Sequence, residues 1–225
     1  MKPPEQPSAA PTPQRYGRYV GLLGIVLLGL ITLNTLLTKP NGSAGIAPGQ
    51  PMAPFAVPLA TGSRNGDADI ATHANDGGAG KVPACSERGT GILNICELYE
   101  QGPVVLALFV DEGGCQGVVE QLQGLAGQFP SVRFAAVAIE GNPSHFDALR
   151  ASLRALVRRE RLTIPVGIDG DGVLASLYKV ASCPQVNFAY RGGLVQSRAL
   201  LGSTSTGTLR KRAQELLTAA HRKPA

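Results

Sequence analysis

From residue 103 onward the apolar and polar positions switch repeatedly between two periods. PVVLALFV (103–110) is a continuous apolar run of strand length, the pattern of a strand buried on both faces. CQGVVEQLQGLAGQF (115–129) spaces Val118, Leu122, Leu125 and Phe129 as one face of a helix. VRFAAVAI (132–139) predicts a second buried strand. HFDALRASLRALVRRERL (145–162) predicts a helix with Phe146, Leu149, Leu153, Leu156 and Val157 on one stripe. IPVGID (164–169) reads as a short strand and GVLASLYKV (172–180) as a short helix. PQVNFAY (184–190) and LVQSRAL (194–200) are strands joined by a tight RGG turn, hence antiparallel, and TGTLRKRAQELLTAAH (206–221) closes as an amphipathic helix. A βαβ half followed by a ββα half predicts one mixed sheet with helices on both faces, an α/β fold.

The first hundred residues behave differently. YVGLLGIVLLGLITLNTLLT (19–38) holds no charged residue, and at 1.5 Å per residue it matches the roughly 30 Å hydrocarbon core of a bilayer. A cleavable signal peptide has a shorter apolar region and a small-x-small site. The length here predicts a retained transmembrane helix, with cleavage near the later SAG as the alternative. Lys2, Arg15 and Arg18 precede the span against Glu5 alone, so the positive-inside bias keeps residues 1–18 cytoplasmic and puts the rest outside. The expected organisation is a disordered, proline-rich cytoplasmic tail (1–18), a transmembrane helix (19–38), a Pro/Gly/Ser linker (39–52) and a domain (53–222) on the extracytoplasmic side of the cell membrane. Within that domain APFAVPL (53–59) is a short extended piece, and SRNGDADIATHANDGGAGKVP (63–83) a polar loop.

Composition changes this picture little. Of the 17 prolines, 11 fall in the first hundred residues, and 44% of all residues are hydrophobic with no tryptophan, enough for an aliphatic core. A net charge of +5 without a basic block interleaved with aromatics gives nucleic-acid binding no support. The arginines at 150, 154, 158, 159 and 161 read as the solvated face of a helix.

The predicted compartment bears on the cysteines. Cys85, Cys96, Cys115 and Cys183 all fall on the side where disulfides persist. Cys85 and Cys96 bracket a turn-rich loop outside the regular core, and a local structural disulfide is the better reading than a catalytic or metal pair. Their spacing fits no common zinc site and His73, His145 and His221 are scattered, so neither a metal nor any other cofactor is expected. In AIEGNPSH (138–145) a site-lining stretch and a strand-to-helix loop with Ser144 as N-cap fit equally well. DGDG (169–172) is far short of a calcium loop and reads as a turn.

Three stretches carry a family likeness: APFAVPL, PVVLALFV leading to a cysteine and a helix, and DGDGVLASLYKVASCPQVNFAYRGGLV (169–195). Together they resemble the thioredoxin-like superfamily, and within it the membrane-anchored, extracytoplasmic TlpA/ResA-type and redoxin-like proteins. The resemblance implies a thioredoxin-like fold over about 45–220, a cis peptide bond at Pro184 beside the reactive cysteines, and client proteins in the cell envelope as partners. The departure is in DEGGCQGVV (111–119), where the family carries Cys-x-x-Cys. Counting back from Leu122 and Leu125 puts Cys115 on the second cysteine and Glu112 on the first. Counting forward from the strand differs by one residue. Either way the dithiol is incomplete, and exchange through a Cys-x-x-Cys is excluded. A peroxidase of the redoxin group would want Thr or Ser three residues before its cysteine, where Glu112 stands.

The same resemblance sets the residue before the cis proline, Cys183, opposite the first helix, whose first turn would hold Cys115 and favour its thiolate. A Cys115–Cys183 pair replacing the missing motif is the leading expectation, with Pro184 positioning it. A working thiol–disulfide couple, a permanent staple and two free thiols all remain open. So does a binding or scaffold domain that kept the fold and lost the chemistry.

Overall fold

The computed structural model describes residues 14–37, 44–64, 82–111 and 114–222. The polar loop expected at 63–83 and the tail before residue 14 therefore lie almost wholly outside the described residues, as do Glu112 and His73. Two compact units divide the chain, 1–42 and 43–225. The first is helix α1 (Gln14–Leu37), which begins within the segment expected to be a disordered tail. Its side chains are described at 19–30 and 32, and there they face outward, Leu22, Leu23 and Ile25 among them. Among the described residues, no helix is long and apolar enough to cross a membrane.

The second unit is built on a five-stranded sheet. Its strands are β3 (Val104–Phe109), β4 (Arg133–Ile139), β5 (Val166–Asp169), β6 (Gln185–Ala189) and β7 (Val195–Ala199), in the order β5-β4-β3-β6-β7. β3, β4 and β5 run parallel, and β6 and β7 are antiparallel to their neighbours. A separate antiparallel pair precedes them, β1 (Ala56–Pro58) with β2 (Ile92–Asn94). It is tied to β5 by a bridge between Leu59 and Gly167.

The apolar run of β3 is uninterrupted because the central strand is covered on both faces. Val105, Ala107 and Phe109 pack with Val118, Leu122 and Leu125 of α3 (Gly117–Ala126) and Leu149, Leu153 and Leu156 of α4 (Phe146–Arg159). Leu209, Ala213 and Leu216 of α6 (Thr206–Arg222) complete this layer. Val104, Leu106 and Leu108 meet the opposite layer, formed by Phe55, Val57 and Leu93, by Ile95 of α2 (Ile95–Gln101) and by Leu174 of α5 (Val173–Leu177). Tyr178 lies wholly buried there, its ring edge-on to Phe55 and its hydroxyl donating to the Ala53 carbonyl at 2.7 Å. Gly167 leaves room for β1 and β2 on β5: a Cβ there would sit 2.5 Å from Val57 Cγ2 and 3.0 Å from Leu93 Cδ2.

Four expectations are corrected. From residue 44 the expected linker is part of the domain: Ile46 and Met52 are buried, and the Met52 N–H donates to the Gly193 carbonyl at 2.8 Å. The segment expected to lie outside the core enters it at Leu93–Cys96, and 92–101 carries the unforeseen elements β2 and α2. Asn94 explains why: its side chain accepts from the Cys96 and Glu97 N–H groups, capping α2, and donates to the Ala84 and Glu87 carbonyls. Two of the α4 arginines are also not solvated. Arg150 is 6% exposed, lies over the Phe146 ring and donates to the Arg64 carbonyl, while Arg154 reaches the Ala60 and Gly62 carbonyls at 2.9 and 2.5 Å. Finally, Ser144 is not a helix cap. Asn142 accepts its N–H and hydroxyl at the start of a 3-10 turn, Pro143–His145.

Candidate functional site

The site forms where β3 ends beside the start of β6. The peptide bond between Cys183 and Pro184 is cis. Pro184 is buried, and the next residue, Gln185, pairs with Leu108 of β3. That register brings Cys183 to the residue following β3, so the Val110 N–H donates to Cys183 Sγ at 3.2 Å.

Cys115 comes from the other side of the same strand end. It lies in a turn before α3 rather than in the first helical turn as expected, with Gly114 at φ +79° ahead of it. The backbone N–H groups at the head of the helix are occupied there: Gly117 donates to the Gly114 carbonyl, Val118 to Cys115 and Val119 to Gln116, at 3.4, 3.3 and 2.9 Å. Cys115 and Cys183 are joined in a disulfide with their Cα atoms 5.8 Å apart, inside the range such a bond requires. Both are half-buried against the layer formed by α3, α4 and α6.

A cleft of about 430 Å³ is lined by Val110, whose N–H meets Cys183, and by Asp111, Glu140, Gly141 and His145. It opens at the C-terminal ends of β3 and β4, where open α/β sheets place their ligands. Glu140 accepts from the Asn142 N–H at 3.0 Å and faces His145 Nδ1 at 3.7 Å. Asp111 Oδ1 is shielded from solvent and has no hydrogen-bond partner among the described residues. The stretch 138–145, left open between two readings, thus both lines the cleft and leads into α4. Behind it the DGDG turn is built on Asp169. This carboxyl is fully buried, accepts from the Leu174 N–H at 2.9 Å, and is pushed up to about 8 by burial and by the neighbouring Asp171.

The second disulfide joins Cys85 to Cys96, Cα atoms 5.3 Å apart. Cys96 is 1% exposed, and the Tyr99 hydroxyl lies 3.7 Å from Cys85 Sγ. This bond closes the local loop as expected, fastening a 3-10 turn (Ala84–Ser86) to α2; the difference is that Cys96 is buried in the core layer, while Cys85 is half-buried. Among the described residues no group of three His, Cys, Asp or Glu side chains could hold a metal ion.

The structure brings together Cys115, Cys183 and Pro184 and keeps Cys85 and Cys96 apart from them. The Val110 N–H was not foreseen, because a main-chain donor has no signature in its own side chain. The β3–β6 register alone aims it.

No protein-family model matches the chain, and no curated protein matches its sequence. Solved structures do match its fold. A protein described as thiol:disulfide interchange protein DsbE from Chlorobium tepidum is 13% identical with a TM-score of 0.52, covering 78% of this chain and 98% of its own. An uncharacterized conserved protein from Geobacillus kaustophilus reaches 0.57 at 14% identity, covering 77% and 83%. The C-terminal domain of a protein described as a thiol-disulfide oxidoreductase from Bacteroides thetaiotaomicron reaches 0.51 at 11% identity, covering 77% and 98%. With its mixed sheet covered by helices on both faces, the unit 43–225 has the thioredoxin-like fold.

Proposed function

We propose that this protein is a membrane-anchored thiol–disulfide oxidoreductase of the cell envelope, with Cys115 and Cys183 as a non-adjacent redox couple. The observation that carries the reading is their junction beside the buried cis Pro184, with Cys183 hydrogen-bonded to Val110, a residue that lines the neighbouring cleft. A half-buried pair is within reach of a client's sulfur, whereas the other disulfide has one sulfur locked in the core. The likeness of fold to proteins described as thiol–disulfide oxidoreductases supports the same chemistry. Anchoring through residues 19–38 rests on the uncharged apolar sequence, and extracytoplasmic placement on the basic residues that precede it.

The deciding measurement is the reduction potential of the Cys115–Cys183 bond, read by mass spectrometry after equilibration in redox buffers. A value well above about −300 mV identifies a working couple, and one below it a structural staple. The staple outcome favours a second reading, a non-catalytic domain that holds extended client peptides. One observation supports that alternative: a single cysteine stands in 111–119, where the resembling family has two. Alkaline extraction of membranes tests the anchor, since an integral segment stays with the bilayer.

A further inference from the structure

The two sulfurs of this pair sit in unequal surroundings, and the inequality assigns their roles. We propose that Cys183 is the sulfur that exchanges with the client, its thiolate held by the Val110 N–H, and that Cys115 is the resolving thiol. This rests on the reading above that the pair cycles.

Three observations carry it. The Val110 N–H points at Cys183 Sγ at 3.2 Å, and the Leu108–Gln185 pairing holds donor and acceptor in register. A hydrogen bond to the charged form of a thiol favours that form, and it strengthens when the acceptor becomes an anion. Among the described residues no N–H donates to Cys115 Sγ: the Gly117, Val118 and Val119 N–H groups at the head of the helix are spent on the carbonyls of its own turn. Thirdly, the surface beside Cys183 is open. Val110 is 36% exposed and Leu201 68%, and the Leu201 N–H donates to the Ser182 hydroxyl at 3.2 Å.

The titratable side chains lining the cleft are those of Asp111, Glu140 and His145. Asp111 stands on the loop that carries Cys115, four residues before it, and its charge opposes a thiolate there. Both carboxylates act across space on either sulfur, whereas the N–H is aimed at one.

In the reductive direction the Cys183 thiolate attacks a client disulfide. A Cys183–client bond forms, the client bond breaks, and the departing client thiolate takes a proton from water. Cys115 then loses its proton and attacks the Cys183 sulfur. The Cys115–Cys183 bond closes and the second client thiolate leaves and is protonated. Two electrons have passed to the client, and an external dithiol returns them to the pair.

The test uses the full-length protein in detergent micelles, reduced with dithiothreitol and freed of it. Iodoacetamide alkylation from pH 5 to 9 is resolved by site with mass spectrometry, and oxidised glutathione is the disulfide probe. In Cys115→Ser, Cys183 should titrate about one pH unit or more below Cys115 in Cys183→Ser. One unit below the ordinary thiol raises the ionised fraction at pH 7 about eightfold. The lower nucleophilicity of the weaker base takes back roughly a factor of three, so glutathionylation of Cys183 should run about threefold faster than that of Cys115. Val110→Pro, which deletes the N–H, should raise the Cys183 titration toward that of Cys115, while Val110→Ala should leave it in place. Should Val110→Pro fail to fold, the two serine variants decide.

Equal titration, or Cys115 titrating lower, in a protein whose wild-type bond cycles overturns this assignment alone. A wild-type bond that stays closed in glutathione buffers overturns the redox reading and this assignment with it.

Discussion

Asp169 offers a sharp test of how the layer behind the cleft is held. Its side chain is fully buried at the end of β5, and one oxygen accepts the Leu174 N–H at 2.9 Å, while the other has no hydrogen bond of good geometry among the described residues. Burial, then the neighbouring Asp171, push its titration from 3.8 up to about 8, against the opposing Leu174 and Gly172 N–H groups. The folded protein therefore keeps a proton that the unfolded chain releases near pH 4. The stability that depends on this proton is fully present below that point and is lost as pH rises through about 8. Each pH unit in this window changes stability by about 1.4 kcal/mol, so about 3 kcal/mol disappears between pH 5 and pH 7. Asp169→Asn keeps an oxygen for the Leu174 N–H and stands in for the neutral acid. Urea unfolding of both proteins in detergent at pH 5, 6, 7 and 8 gives the difference, in which the titration of every other group cancels. The variant should match the wild type only below about pH 4, and its advantage should grow by about 3 kcal/mol between pH 5 and pH 7. Parallel profiles, separated by less than about 1 kcal/mol of pH-dependent change, would refute the reasoning.

Other perturbations address the frame around the site. Replacing Cys85 and Cys96 together by alanine frees a loop spanning 11 positions, and chain entropy then sets a loss of about 3 kcal/mol, measurable by urea unfolding under non-reducing conditions. Gly167→Ala drives a methyl group into Val57 and Leu93 and should cost about 1–3 kcal/mol; an unchanged unfolding midpoint would show that β1 and β2 do not press on β5. Arg154→Ala strips the Ala60 and Gly62 carbonyls of a charged donor and should cost about 1–3 kcal/mol in the same assay, whereas Arg158→Ala, at an exposed position, should change stability by under about 0.5 kcal/mol.

Much of the sheet was legible because its strands and helices declare themselves by period. VVLALF could only be a strand covered on both sides, and the Leu149–Leu153–Leu156 spacing could only face a core as a helix. The RGG turn made β6 and β7 antiparallel neighbours. The segment 85–101 escaped because its elements are short: three residues of β2 and seven of α2 are too few for a period to emerge. They are held by Asn94 and a disulfide rather than by a stripe. The α4 arginines misled for a related reason. A charged residue off the apolar stripe looks solvated in sequence, and nothing local reveals that carbonyls at 60, 62 and 64 lie waiting for Arg150 and Arg154.

Sequence alone determined that a cysteine precedes Pro184, that a single cysteine stands in 111–119, and that an uncharged apolar stretch precedes the domain. These are facts of order and composition. That Cys115 and Cys183, 68 positions apart, meet at one strand end was decided by the fold, since the β3–β6 register carries them together. Their unequal surroundings are more remote still from sequence. A backbone N–H is present at every residue except proline, and only tertiary structure determines that the one at Val110 is left free to face a sulfur while those at 117–119 are not.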